Sequence, residues 1–237
     1  MTSSISHVEA DRVEVRGRDL AGELMGAVSF TEYFHLLLTG REASDDERFF
    51  LDLLLVSIAE HGMMPSNVVA RMTLAADPGS LHGAVAAGIL GAGPVLLGTS
   101  EACARLLEAA LAAGEEPEQL VARLRAAGAK VPGYGHPVHR VADPRATRIL
   151  ELADERGVSG RHVDYARTLA AVVAPLPLNV AMAIAAVMLD LGFQPDVVKS
   201  VPILARTAGL LAHLAEERER PSGFLLARAA EEAAGSA

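Results

Sequence analysis

The sequence has no tryptophan, a single cysteine (Cys103) and only 4% aromatic residues. One cysteine excludes an internal disulfide and fits a reducing compartment, so a cytoplasmic location is expected. With so few rings, alanine and leucine carry most of the apolar 51%, and both favour helix. Excess positive charge is also missing: 21 basic residues against 30 acidic ones give a formal net charge of -9. That balance argues against nucleic acid as a partner. An anionic ligand would need arginines gathered locally against the overall field. Residues 1–17 contain no apolar run and do not read as a signal peptide. One apolar stretch, Val172 to Leu191, is interrupted by Pro175, Pro177 and Asn179, which predicts a buried helix rather than a membrane span.

What is present is helix punctuation. Ser29-Phe30-Thr31-Glu32 and Ser44-Asp45-Asp46-Glu47 are capping-box patterns. The first predicts a helix ending at Gly40. The second predicts one with Phe49, Leu53 and Val56 on one face, stopping at His61-Gly62. Further helices are expected after Pro65-Ser66, over about 81–90 with a break at Gly91-Ala92-Gly93-Pro94, and from a Thr99 or Ser100 cap to Gly114. Others are expected from Pro117 to Gly128, from Asp143-Pro144 to Gly157, from a Ser159 cap to Val173, and over 178–191. A last helix should start near Pro195, run past His213 and kink at Pro202, with a frayed tail after Ala229. Only residues 7–18 alternate as a strand would. No repeat of 20–50 residues is present. The fold class expected is all-α, and 237 residues suffice for one large domain or a large and a small one.

One segment stands out chemically: Val131 to Arg145, VPGYGHPVHRVADPR. Here His136 lies on a glycine-flanked loop, and Arg145 follows in the first turn of a helix that Asp143 can cap. An imidazole beside fixed positive charge suits binding a carboxylate and moving a proton. Pro137 keeps His136 and His139 off a common helical face, so no metal site is expected. Gly91-Ala92-Gly93 follows a helix rather than a strand and does not support a dinucleotide fingerprint.

In order and spacing, several blocks together resemble the citrate synthase superfamily, above all its short citryl-CoA lyases and the lyase module of ATP-citrate lyase. They are 15–20 (VRGRDL), 29–32, 36–40 (LLLTG), Gly133-Tyr134-Gly135-His136 with Asp143-Pro144-Arg145, Leu178-Asn179-Val180, and Ala205-Arg206-Thr207-Ala208-Gly209. The resemblance implies an all-α fold with a large domain of residues 1–132 and 206–237 and a smaller inserted domain of residues 133–205. The apolar content in a chain of this size suggests a homodimer, and charge and sequence pattern leave neither nucleic acid nor membrane as expected partner. For the homodimer the resemblance implies a shared active site. Its chemistry is the making or cleavage of a 3-hydroxy-3-carboxyl acyl-CoA, with acetyl-CoA and oxaloacetate or a similar keto acid on the other side. A coenzyme A thioester is then a substrate, and no metal is needed.

Position by position, His136 resembles the carbinol-side catalytic histidine. His61, Arg145 and Arg206 resemble carboxylate-binding residues, as does Arg220, which would enter from the partner subunit. Arg140 resembles a residue near the coenzyme A phosphates. Two family positions differ. Leu96 stands where the synthases place an enolate-stabilising histidine, a position at which the lyase modules also depart. Ala181 stands where the family places the aspartate that handles the methyl proton, and the nearest later carboxylate, Asp190, is more than two helical turns on. The expectation is therefore a citryl-CoA lyase-like enzyme working by His136, or a non-catalytic member that binds a carboxylate or coenzyme A ligand for sensing or for pairing with an active relative.

Overall fold

The computed structural model describes residues 3–235 and divides into two compact units, Met1–Leu53 and Leu54–Ala237. The first opens with a small antiparallel sheet, β1 (Ser6–Val8), β2 (Val13–Val15) and β3 (Arg18–Asp19), in that spatial order. Ser6 pairs with Val15, and Val15 with Arg18. The β2–β3 turn needs two left-handed residues, Arg16 (φ 51°) and Gly17 (φ 78°). A π-helical turn, Leu20–Leu24, is capped by Asp19, whose carboxylate accepts from the amides of Ala21 and Gly22.

Helix α1 (Phe30–Thr39) starts at the expected capping box and ends at left-handed Gly40. Val15, Leu24 and Leu36 form this unit's small core. Helix α2 (Asp45–Ile58) starts at the second box, with Ser44 and Glu47 bonded reciprocally. Burial would raise the Glu47 carboxyl, but hydrogen bonds from Arg41 and Ser44 outweigh it and hold the group at about 2.

In the second unit α3 (Pro65–Ala76) lies along α4 (Leu81–Leu96), and α11 (Ser200–Glu219) and α12 (Gly223–Gly235) pack on α3. Ala70, Leu74, Ala84, Leu210 and Leu214 form the core there. Helix α9 (Val180–Asp190) is the hub of the remainder. It is enclosed by α5 (Thr99–Ala113), α7 (Pro144–Glu155), α8 (Arg161–Val172) and α10 (Pro195–Val198), and every residue from Met182 to Leu189 is buried. A helix apolar on all sides needs such a setting. Of the 172–191 stretch only Val180–Asp190 forms the expected buried helix, residues 173–179 being turn and loop, and at eleven residues α9 is too short to span a bilayer. Residues 81–113 and 195–219 are apolar and long enough for a span by composition alone. The first is broken at Gly93 (φ 53°, ψ -168°). Helix α6 (Pro117–Ala126) packs on α8.

Several expectations about local structure need correction. The buried positions of α2 are Glu47, Phe50, Leu51 and Leu54; Phe49 and Leu53 are half-buried and Val56 is 79% exposed. Nearly every residue of FFLDLLLV is apolar, so the phase is set by what the helix meets and not by its own pattern. That helix ends at Ile58, leaving His61 in the following turn. Helix α4 resumes through Pro94 to Leu96 after its break. Thr99 is the first residue of α5 rather than its cap, which is Gly98. Helix α8 is capped not by Ser159 but by a carboxylate thirty residues away: Asp190 accepts from the amides of Gly160, His162 and Val163. The last helix divides at Lys199 rather than kinking at Pro202, which falls in the first turn of α11 and is tolerated there. The tail is helical to Gly235.

Candidate functional site

The loop after α6 is held by the segment before α9. Tyr134 and Leu178 form an antiparallel bridge. Gly135 N donates to Pro177 O (2.7 Å), and Asn179 N donates to Gly133 O (2.9 Å). The Asn179 side chain works at both ends: Oδ1 caps α9 by accepting from Ala181 N, and Nδ2 donates to Gly135 O (3.0 Å). Gly133 has φ 83°, and a Cβ there would lie 2.7 Å from both Cys103 Sγ and Met182 Cβ, so only glycine fits. Cys103 is fully buried, as its apolar helix face predicts, and burial pushes its thiol up to about 12.

From this tethered loop His136 turns inward. Its Nδ1 accepts from the backbone amides of Val138 (3.1 Å) and His139 (3.0 Å), and the two rings stack at 4.5 Å. A nitrogen that accepts two amides carries no proton, so the neutral ring bears its hydrogen on Nε2.

Asp143 caps α7 as expected. It also binds the Arg145 guanidinium at two points, Nε to Oδ1 (3.0 Å) and Nη2 to Oδ2 (2.9 Å), and accepts from Val180 N (3.0 Å). Burial raises the Asp143 carboxyl, but the hydrogen bonds from Arg145 and Val180 and the Arg145 charge bring it below the usual carboxylate range.

Helix α11 supplies Arg206, 7% exposed. One guanidinium nitrogen, Nη2, reaches Ile58 O at 3.5 Å. The other, Nη1, is buried without a hydrogen-bond partner among the described residues. Desolvation pulls this arginine below its ordinary value, with Glu60 opposing.

His61, His136, Arg145 and Arg206 all line one cavity of ≈ 340 Å³ within the second unit. The His61 and His136 rings are 6.4 Å apart. Burial lowers the pKa of both imidazoles. For His61 the charges of Arg145, Arg206 and His136 add to it; for His136 those of His139 and Arg145 do. Both rings are therefore neutral at pH 7. Leu96 and Ala181 also line the cavity, and among the described residues no aspartate or glutamate does. Arg140 and Arg220 lie elsewhere: both are exposed, Arg140 in the irregular segment before α7 and Arg220 at the C-cap of α11. His82 is exposed in the first turn of α4 and also stands outside the cavity. Sequence reasoning missed Ile58, Thr99 and Ser100 in the wall, and Asp143 as the partner of Arg145. The Asp-Pro-Arg spacing was a usable signal for the last.

Residues 15–228 match the family profile "Citrate synthase, C-terminal domain". The chain belongs to the citrate synthase family. This family member is similar in structure to a citryl-CoA lyase from Hydrogenobacter thermophilus, with a TM-score of 0.85 and 30% identity over 92% of this chain and 86% of that one. It shares its fold with an ATP citrate lyase from Methanosaeta concilii solved with (3S)-citryl-CoA (TM-score 0.83, 24% identity, 94% and 40% coverage). In sequence it is 34% identical over 190 residues to a putative citrate synthase 2 of Mycobacterium tuberculosis, covering 73% of this chain and 50% of that protein. The chain spans about half the length of such citrate synthase relatives. The expected all-α, citrate synthase-like fold is therefore the observed one.

Proposed function

We propose that the cavity binds a polycarboxylate and that the chain is a citryl-CoA lyase-type enzyme, cleaving a 3-hydroxy-3-carboxyl acyl-CoA to acetyl-CoA and oxaloacetate or a similar keto acid. The observation that carries this reading is Arg206 Nη1, which among the described residues is buried and unpaired, in a cavity that they line with a second arginine, two histidines and no acid. Leaving a guanidinium nitrogen in that state costs several kcal/mol, which an incoming carboxylate offsets.

His136 offers Nε2–H to the carbinol or carbonyl oxygen of such a ligand. For cleavage it must instead take the carbinol proton, which requires a bare Nε2. The base role therefore needs the 136–139 turn to release Nδ1. No positioned acid stands at Ala181 to protonate the acetyl carbanion, so water does so, and a rate loss of ~10²–10⁴ is expected. Synthesis needs a base there to remove a weakly acidic methyl proton, and for that reason cleavage ranks above it.

A second reading is a non-catalytic member holding a carboxylate or coenzyme A ligand for sensing or for pairing with an active relative. The apolar Leu96 and Ala181 favour it.

On either reading residues 1–132 with 206–237 form a large domain and 133–205 a small one. The chain works in the cytoplasm as a homodimer, Arg220 reaches the partner's cavity and Arg140 meets coenzyme A. Exposed apolar residues on α3, α4 and α12 (Val69, Leu90, Phe224, Leu225) support a second copy as partner.

A coupled assay for keto acid released from citryl-CoA, comparing wild type with His136→Ala, tests the lyase reading. Turnover abolished by the substitution supports it, and turnover that survives removes His136 from the mechanism. Calorimetric citrate binding without turnover favours the second reading.

A further inference from the structure

His61 has no helix beneath it. It lies in the turn between α2 and α3, where Gly62 has φ 63°. Yet both of its neighbours are fastened from other elements. Glu60 Oε1 accepts from Gly62 N and lies 3.0 Å from His213 Nε2 on α11. Asn67 Nδ2, on α3 and 2.8 Å from that same Nε2, donates one of its two hydrogens to Gly62 O. Helix α11 also comes into backbone contact with the turn: a Cβ on Gly209 would fall 2.0 Å from Ala59 O.

The proton positions follow from Arg71, which is 3% exposed. Its Nε (3.0 Å) and Nη2 (2.7 Å) both meet His213 Nδ1. A guanidinium only donates, so Nδ1 is a bare acceptor and the ring carries its hydrogen on Nε2, aimed at Glu60. Arg71 is held in turn by Glu216 and by Glu217 (3.1 Å to Oε2). Glu217 is itself fixed by the amides of Ser222 and Gly223, both 2.6 Å from Oε1.

We propose that Arg71 and His213 act as a positioning relay, orienting Glu60 so that the 59–62 turn presents His61 to the carboxylate cavity. The proposal rests on the polycarboxylate reading above. Neither relay residue lines the cavity, so each acts only through the turn. The charged and titratable groups facing His213 are Arg71 on α3, Glu60 on the turn, and Glu216 and Glu217 on its own helix. Those facing His61 are Arg145 on α7, Arg206 on α11, His136 on the loop, and Glu60.

The test uses the full chain, with citrate as probe in calorimetry and with labelled-histidine NMR of the ligand-free protein. His213→Ala is expected to weaken citrate binding about tenfold, the scale of one lost hydrogen bond to a charged group. His213→Gln, whose amide can accept from Arg71 and donate to Glu60, is expected to restore binding to within about threefold of wild type. Leu214→Ala, a core truncation on the same helix, should destabilise the fold while leaving citrate affinity unchanged.

In the NMR arm, His213→Ala should shift the His61 ring signals. Glu60→Gln should lower the His61 titration midpoint further, because the Glu60 charge holds it up. His61 signals unchanged in both variants would overturn the relay, as would equal citrate losses in His213→Ala and Leu214→Ala. Wild type that fails to bind citrate would overturn the polycarboxylate reading instead, and the NMR arm would still decide the relay.

Discussion

Asp143 and Arg145, two residues apart, clasp each other at two points, and the same carboxylate accepts the amide that opens α9. One buried acid thus aims a cavity arginine, caps α7 and joins the two helices whose first turns border the site. It also neutralises part of the charge the cavity would otherwise hold, leaving Arg206 as the unsatisfied cation.

Removing that acid should cost stability as well as aim. Asp143→Ala loses the cap, the amide contact to α9 and the partner of Arg145, and is expected to lower the unfolding free energy by about 2–4 kcal/mol. Asp143→Asn keeps a capping oxygen and should lose about half of that. Urea unfolding of the three proteins is the measurement.

Arg206 should show the opposite sign in stability. Its burial without a partner on Nη1 means that Arg206→Met, of similar length and apolar, should leave the ligand-free protein as stable as wild type or about 1–2 kcal/mol more stable. Citrate affinity should fall about a hundredfold or more, the loss of a charged contact in a dry site. Thermal melts with and without citrate read both effects.

The lowered values of His61 and His136 give a pH dependence. The unfolded chain protonates these imidazoles at the ordinary value of about 6.5 while the folded chain resists, so on acidification the unfolded state binds more protons. Ligand-free stability should therefore fall as pH drops through about 6.5, and be fully kept above that value. An anionic ligand reverses the preference at His61 by stabilising its imidazolium, and at His136 it does so once the 136–139 turn releases Nδ1. Citrate should bind more tightly at pH 6 than at pH 8, with proton uptake, which calorimetry in buffers of different ionisation enthalpy detects.

Ala181→Asp would return a carboxylate to a wall that has none. On the lyase reading this should raise turnover of citryl-CoA, by up to ~10²-fold if the missing acid is what limits the rate. A stopped assay against wild type is sufficient. No gain at undiminished citrate binding would favour the non-catalytic reading.

Much of the helical framework was legible in the sequence because its signals are local. Ser29 with Glu32, Ser44 with Glu47, and Asp143 before Pro144 each act within one helical turn, and each starts a helix where expected. The capping of α8 was not legible, since Asp190 reaches it from thirty residues away. Nor was the buried face of α2, whose continuous apolar run has no preferred phase. The cavity residues were legible only as a set resembling the family's blocks. His61 and Arg206 are otherwise a turn histidine and a mid-helix arginine with nothing adjacent to distinguish them.

The sequence by itself determined the class of secondary structure, most helix boundaries, and the absence of an acid at position 181, because each depends on residue type or on partners a few positions away. Only the tertiary structure decided which nitrogen of His136 and of His213 carries the proton, that Asp143 holds Arg145, and that Arg206 keeps an unpaired nitrogen beside a cavity without carboxylates. Those properties depend on desolvation and on hydrogen-bond partners far apart in the chain, such as Arg71 and His213, separated by 142 residues, which meet only once the helices are packed.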